Sequence, residues 1–154
     1  MLSFKKFICE NRGYGEGHTA PTKKSGDPMH SVSPGTYPED FHGPNGFRYY
    51  ADYGQPYDHH SYRQVTRVKN DPEAHVWVHR AIPMDIKKAA MKTENPIGHM
   101  MRPGDWVTPS KDYAKDHGET EFGKGKYHIA SRRVKAKHLY TDGNSVHEWG
   151  YDPT

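Results

Sequence analysis

Ala74-His75-Val76-Trp77-Val78-His79-Arg80-Ala81-Ile82-Pro83 is the stretch that decides the fold class. Val76 and Val78 alternate with Trp77 and His79, the period of two that sends successive side chains to opposite faces of a strand. His75 and His79, four apart, would share a helix face, but the Val76-Trp77-Val78 pattern argues for a strand. Continuing the alternation puts Arg80 on the Val76/Val78 face. Pro83 closes the strand because it has no N–H to give to a ladder.

Working outward, Met84–Thr93 reads as a surface helix, and Arg102-Pro103-Gly104-Asp105 as a turn into a short strand at Trp106-Val107-Thr108. Ser110 is suited to cap a helix over Lys111–His117, with Gly118 as its stop. Lys126–Lys135, Lys137–Tyr140 and Val146–Tyr151 read as three short strands, with a turn at Asp142-Gly143-Asn144 before the last. Upstream, Tyr62, Val65 and Val68 predict a helix over Asp58–Asn70, and Phe47–Tyr53 reads as the first ordered element. Between Asn11 and Tyr57, glycine, proline, histidine and tyrosine are dense enough that turns should outnumber regular elements. The strands and helices read from the sequence thus lie on the C-terminal side of this wrap.

At 154 residues the chain has room for one core, and one domain is expected. Eleven Tyr, five Phe and three Trp can bury large areas while keeping a polar edge wet, so the turn-rich half should be anchored by aromatics rather than disordered. Twenty-two basic against nineteen acidic residues leave a net charge of +3, with twelve histidines to add to it below neutral pH. That mild bias suits an anionic ligand and lacks the dense basic stripe of a duplex-DNA binder. A single cysteine, Cys9, excludes an internal disulfide framework. No apolar run approaches the roughly 20 residues of a bilayer span, so a reducing, soluble setting without membrane contact is expected.

Three pieces then fall in order: the strand ending Val78-His79-Arg80-Ala81, the segment Trp106-Val107-Thr108-Pro109-Ser110 running into a helix, and a late carboxylate in His147-Glu148-Trp149-Gly150-Tyr151. This order resembles the arginine-serine-glutamate, cholera-toxin-like clade of ADP-ribosyltransferases. It is most similar to a phage-borne branch in which an Arg-Ala-Ile/Val-Pro strand, a Gly-Asp-Trp-Val-Thr segment and a terminal Glu-Trp-Gly-Tyr recur. The resemblance covers residues 76 to 152 and extends more weakly over the region from Gly17-His18-Thr19-Ala20-Pro21 to Tyr49-Tyr50. It implies an α+β domain with split antiparallel β-sheets that form an NAD cleft, flanking helices and a loop-rich N-terminal region. Residues 1–10 also resemble a capsid-targeting segment of phage head-interior proteins, cleaved after Ile8-Cys9-Glu10. A short N-terminal turn of the domain is the plain alternative. Residues 11–154 are then one ADP-ribosyltransferase-like domain, placed by the resemblance in the virion head and later the host cytoplasm.

The resemblance assigns roles that chemistry makes reasonable. Arg80 would grip the NAD pyrophosphate, since a guanidinium fork matches phosphate oxygens in bidentate fashion. The backbone of Ala81 would hold the nicotinamide amide, and Thr108 and Ser110 would be the hydroxyl pair. Tyr113, one helical turn on, would line the nicotinamide site, although a core role fits a helix-borne tyrosine better. Glu148 would be the catalytic carboxylate: breaking the nicotinamide–ribose bond leaves an oxocarbenium-like cation that a nearby anion stabilises. Arg80, Ser110 and Glu148 are thus the catalytic set, NAD the substrate, and no metal is required. Arginine-modifying members of the clade carry a second Glu or Gln two residues before the catalytic Glu, where this chain has Val146, so the acceptor is left open between a host protein side chain, a nucleic acid and water. His147 would face away from Glu148 if both lay in one strand. A monomer is expected.

Three plainer readings compete. Asp58-His59-His60 invites a metal site, but one short run without partner motifs is weak, and zinc lacks its cysteines. The Tyr- and Gly-rich front half with scattered Lys and Arg is compatible with a nucleic-acid surface built on stacking. An inactive relative, a head-interior structural protein that keeps the fold without turnover, is the third.

Overall fold

The computed structural model describes residues 19–32, 35–143 and 145–154. The segment 1–10 read as a targeting sequence lies outside them, as does Asn144. In chain order the elements are β1 (Asp27–Pro28), α1 (Gly46–Tyr50), α2 (Asp58–Arg67), β2 (His75–Pro83), α3 (Met84–Ala90), α4 (Pro96–Met100), β3 (Trp106–Val107), α5 (Lys111–Phe122), β4 (Tyr127–Lys135), β5 (Leu139–Thr141) and β6 (Trp149–Tyr151). The protein is α+β, with a four-stranded sheet in the order β1-β5-β6-β3 and a two-stranded sheet β2-β4, every pairing antiparallel. An isolated bridge links the backbones of the two sheets. His79 and Thr108 exchange both backbone hydrogen bonds, at 2.8 and 3.0 Å.

The alternation expected of β2 is observed: His75 and Trp77 are exposed, while Val76, Val78 and Arg80 are buried. Beyond His79 both faces are covered. Val76, Val78 and Val134 join the main core with Met29, Phe41, Leu139 and Trp149, whereas Ile82 and Ala130 pack with Ala90 and Met100 in a smaller cluster. On the other face α5 lies over β2 and β4. The turn-rich front half supplies Met29, Val32 and Phe41 as fully buried anchors, each contributing about 1.5–3 kcal/mol of apolar burial. Tyr37 and Tyr62 pack round Phe41, and the Tyr62 hydroxyl donates to the Phe41 carbonyl at 2.5 Å.

Several boundaries differ from expectation for identifiable reasons. α2 stops at Arg67 rather than Asn70: Asn70 takes a left-handed conformation (φ 62°), and its N–H goes to the His30 carbonyl instead of up the helix. Phe47–Tyr53 is not the first ordered element: β1 and 3-10 turns at Met29–Ser31 and Glu39–His42 precede it, and α1 itself spans Gly46–Tyr50. The α3 helix proper ends at Ala90, with turns carrying on to Thr93. α5 runs through Gly118 to Phe122 and stops at Gly123 (φ 95°). Gly118 is therefore a packing glycine, since a Cβ there would meet the Tyr127 ring at 2.4 Å. The segment read as a strand over Lys137–Tyr140 opens with a 3-10 turn at Ala136–His138, so β5 begins at Leu139. Only Trp149–Tyr151 of the expected Val146–Tyr151 strand pairs. α4 was not anticipated, although its signal was present: the Asn95 side chain caps Gly98 N–H and Pro96 opens the helix.

Candidate functional site

β3 is the short strand around which the predicted residues gather. It pairs with β6 (Trp106 opposite Gly150, Val107 opposite Trp149), and its next residue, Thr108, bridges to His79 of β2. Arg80 follows His79 and donates from Nη1 to the Trp106 carbonyl at 3.3 Å. Ser110 N–H donates to Thr108 Oγ1 at 3.2 Å, and Ser110 Oγ accepts from Tyr113 N–H at 3.1 Å as the α5 cap. One helical turn along, the Tyr113 hydroxyl donates to Glu148 Oε1 at 2.7 Å. Arg80, Thr108, Ser110, Tyr113 and Glu148 are thus joined through one strand and one helix start. Ala81, the sixth predicted residue, is buried opposite Ile129 in the β2/β4 register.

The set is interior. Arg80 is 6% exposed, Thr108 1% and Glu148 0%. Arg80 Nε lies 3.9 Å from Asp105 Oδ2, and that carboxylate also accepts from Arg102 N–H at 2.8 Å. Burial and the Glu148 charge both push the Tyr113 phenol far above its usual range, so it stays protonated and donates at any ordinary pH. Burial likewise raises Tyr37 and Tyr53, which also lie within the electrostatic reach of Glu148. The carboxylate therefore sits among phenols in a low-dielectric interior, where its field on a cation would be little screened.

Glu148 is presented by a turn, not by a strand. Glu148 N–H donates to the Ser145 carbonyl at 3.3 Å, His147 N–H to Ser145 Oγ at 3.1 Å, and the Trp149 indole N–H to the Val146 carbonyl at 2.8 Å. Strand alternation between His147 and Glu148 consequently does not apply. Both meet Tyr113, which stacks on the His147 ring with centroids 4.5 Å apart and planes 14° apart.

Sequence reasoning missed the polar brace behind this pair. His147 Nε2 lies 2.8 Å from Asp58 Oδ1, and His147 Nδ1 lies 2.6 Å from Ser61 Oγ, all three side chains buried. Asp58 Oδ2 also accepts from the N–H groups of Tyr53 (2.8 Å) and Gln55 (2.9 Å). Burial lowers the His147 pKa more than the Asp58 carboxylate raises it, so the imidazole is neutral. Because a carboxylate only accepts, Nε2 carries the proton and Nδ1 accepts from the Ser61 hydroxyl. Although it contains serine, histidine and aspartate, the cluster is closed to solvent and acts as a lock. The Asp58-His59-His60 run diverges: His59 stacks on Phe47 at 3.6 Å and His60 Nε2 lies 3.1 Å from the Pro109 carbonyl. Among the described residues no group of three or more His, Cys, Asp or Glu is placed to hold a metal ion.

A cavity of about 450 Å³ opens beside Ser110, bounded by α2, the His75/Trp77/His79 face of β2 and the start of α5. Arg80 and Glu148 do not line it. Among the described residues no helix is long and apolar enough to cross a membrane. Comparison with family models, curated proteins and solved structures returns no match.

Proposed function

We propose that this chain is an NAD-dependent mono-ADP-ribosyltransferase acting on a host macromolecule, phage-borne and delivered with the genome. The observation that carries the reading is the convergence on β3 of groups far apart in sequence: Arg80, the Thr108/Ser110 hydroxyls and Glu148. Delivery by a phage is supported by the resemblance of residues 1–10 and the motifs above. On this reading the split sheets hold NAD between them, the pyrophosphate meets Arg80, and nicotinamide lies near Ala81 and Tyr113. The C1′–N bond breaks with its electron pair leaving on neutral nicotinamide. The acceptor's lone pair then closes on C1′, and its proton passes to solvent. Glu148, about 4 Å from the cation at an effective dielectric near 20, would stabilise it by roughly 4 kcal/mol, or about a thousandfold in rate.

A second reading is favoured by the complete burial of Glu148 behind Tyr113 and the contact of Arg80 with Asp105. In that reading the fold is kept without turnover, and the same groups brace the interior.

Incubation with NAD labelled in the adenosine half, alone and with bacterial lysate, separates the two. Free nicotinamide and transferred label should appear with wild type and fall about a thousandfold with Glu148→Gln, thermal unfolding confirming that the variant folds. If wild type releases no nicotinamide and transfers no label, the enzyme reading is lost. Label transfer that survives the substitution removes Glu148 from the chemistry.

A further inference from the structure

The cavity beside Ser110 lies across β2 from Arg80, because Arg80 shares its face with Val76 and Val78, while His75, Trp77 and His79 look the other way. Its walls combine an indole with cations. Trp77 is 57% exposed, whereas Trp106 and Trp149 are fully buried. Arg67 and Lys111 stand on the rim, and neither is ion-paired among the described residues. The Arg67 guanidinium is steadied by Gln64 Oε1 at 2.9 Å and the His75 carbonyl at 2.8 Å, so it is preorganised without being neutralised. The β2/β4 register adds exposed Arg133 directly opposite Trp77. Asp112 is the lone carboxylate among the lining residues.

We propose that this cavity is a binding subsite for one nucleotide of a single-stranded nucleic acid, its base on Trp77 and its phosphates toward Arg67 and Lys111. The volume falls within the ordinary range for small-ligand sites, roughly 300–1,000 Å³. A concave site accepts a base only when the base is splayed out of its stack, which selects single strands over duplex. An acidic peptide would answer the cations but leave the indole uncovered, and an aromatic face beside unpaired cations is the recurring pattern of single-strand recognition. As the place where an acceptor docks, the subsite rests on the transferase reading and makes nucleic acid the acceptor class. The binding itself does not depend on that reading.

The test is fluorescence anisotropy of labelled single-stranded 12-mers, RNA and DNA in separate arms, without NAD. Wild type and Ile86→Ala, an exposed position on α3 away from the cavity, should bind at least one strand alike. Trp77→Ala should weaken binding about tenfold or more. Lys111→Glu and Arg67→Glu should weaken it and flatten its dependence on salt. In wild type the strand should also shield Trp77, the one exposed tryptophan, from iodide quenching. Absence of binding to both strands, binding indifferent to Trp77→Ala, or unchanged quenching overturns the proposal. So does displacement of the strand by polyglutamate as readily as by a second oligonucleotide. Displacement by NAD would put the dinucleotide in this cavity and likewise overturn it. Since no arm needs turnover, a failed subsite and a failed transferase reading give different results.

Discussion

Replacing Asp58 in two ways tests whether the Asp58–His147–Ser61 lock is wired as its geometry implies. Asp58→Ala removes the acceptor of three hydrogen bonds, from Tyr53 N–H, Gln55 N–H and His147 Nε2–H. Tyr53 is only half-buried and Gln55 is exposed, so water can replace the carboxylate there. The His147 N–H is sealed in and left unsatisfied. Bonds to a buried charge and an orphaned interior donor together cost about 3–5 kcal/mol, or roughly 10 °C in Tm for a domain of this size. Asp58→Asn should be far milder. Its carbonyl can still accept the two backbone N–H groups, and its amide can donate to His147 Nε2 if the imidazole changes tautomer. The Ser61 hydroxyl permits that change, because it can accept from Nδ1–H as well as donate. Losing the charge assistance costs about 1 kcal/mol. Thermal and urea unfolding measure both variants, and nitrogen-15 shifts of the His147 ring report the tautomer. If Asp58→Asn destabilises as much as Asp58→Ala, or if the ring keeps its proton on Nε2, the wiring is wrong.

Two further outcomes follow from the interior. His79 (lowered to about 4), His117 and His147 all have folded pKa values below 6.5, mainly through desolvation. The unfolded chain therefore binds more protons as pH drops. Stability is complete above about pH 6.5 and should fall on acidification by up to about 1.4 kcal/mol per pH unit for each such histidine, a slope that urea titrations between pH 7 and 4 would read as near zero if these rings were already charged in the fold. Gly118→Ala improves helix propensity by about 1 kcal/mol yet drives a Cβ into the Tyr127 ring, so a net loss of roughly 1–2 kcal/mol is expected, relieved by Tyr127→Ala. A stabilised Gly118→Ala in thermal unfolding would show that the ring yields freely and that α5 does not rely on this contact.

Local signals carried much of this protein. Alternation identified β2 and the face that holds Arg80, the Ser110 cap located the start of α5, and the aromatics foretold how a turn-rich half could still be anchored. Those signals act over one to four residues, the range across which backbone geometry forces neighbours together. What lay beyond that range belonged to tertiary structure. Whether Gly118 stops a helix or lets it pass under Tyr127 depends on a strand that approaches it from another element. Whether the last strand includes Glu148 depends on a ladder partner from β3, and the position after Val107, Thr108, is bridged to His79 of β2 instead. The partners of His147 are 86 and 89 positions away, and no spacing rule reaches so far. The order Arg80, Thr108-Pro109-Ser110, Glu148 was legible in the chain. That the three close on β3 in the interior, with the open cavity on the far side of β2, was decided by the packing of the sheets, since only burial and long-range pairing determine which faces remain open to a ligand.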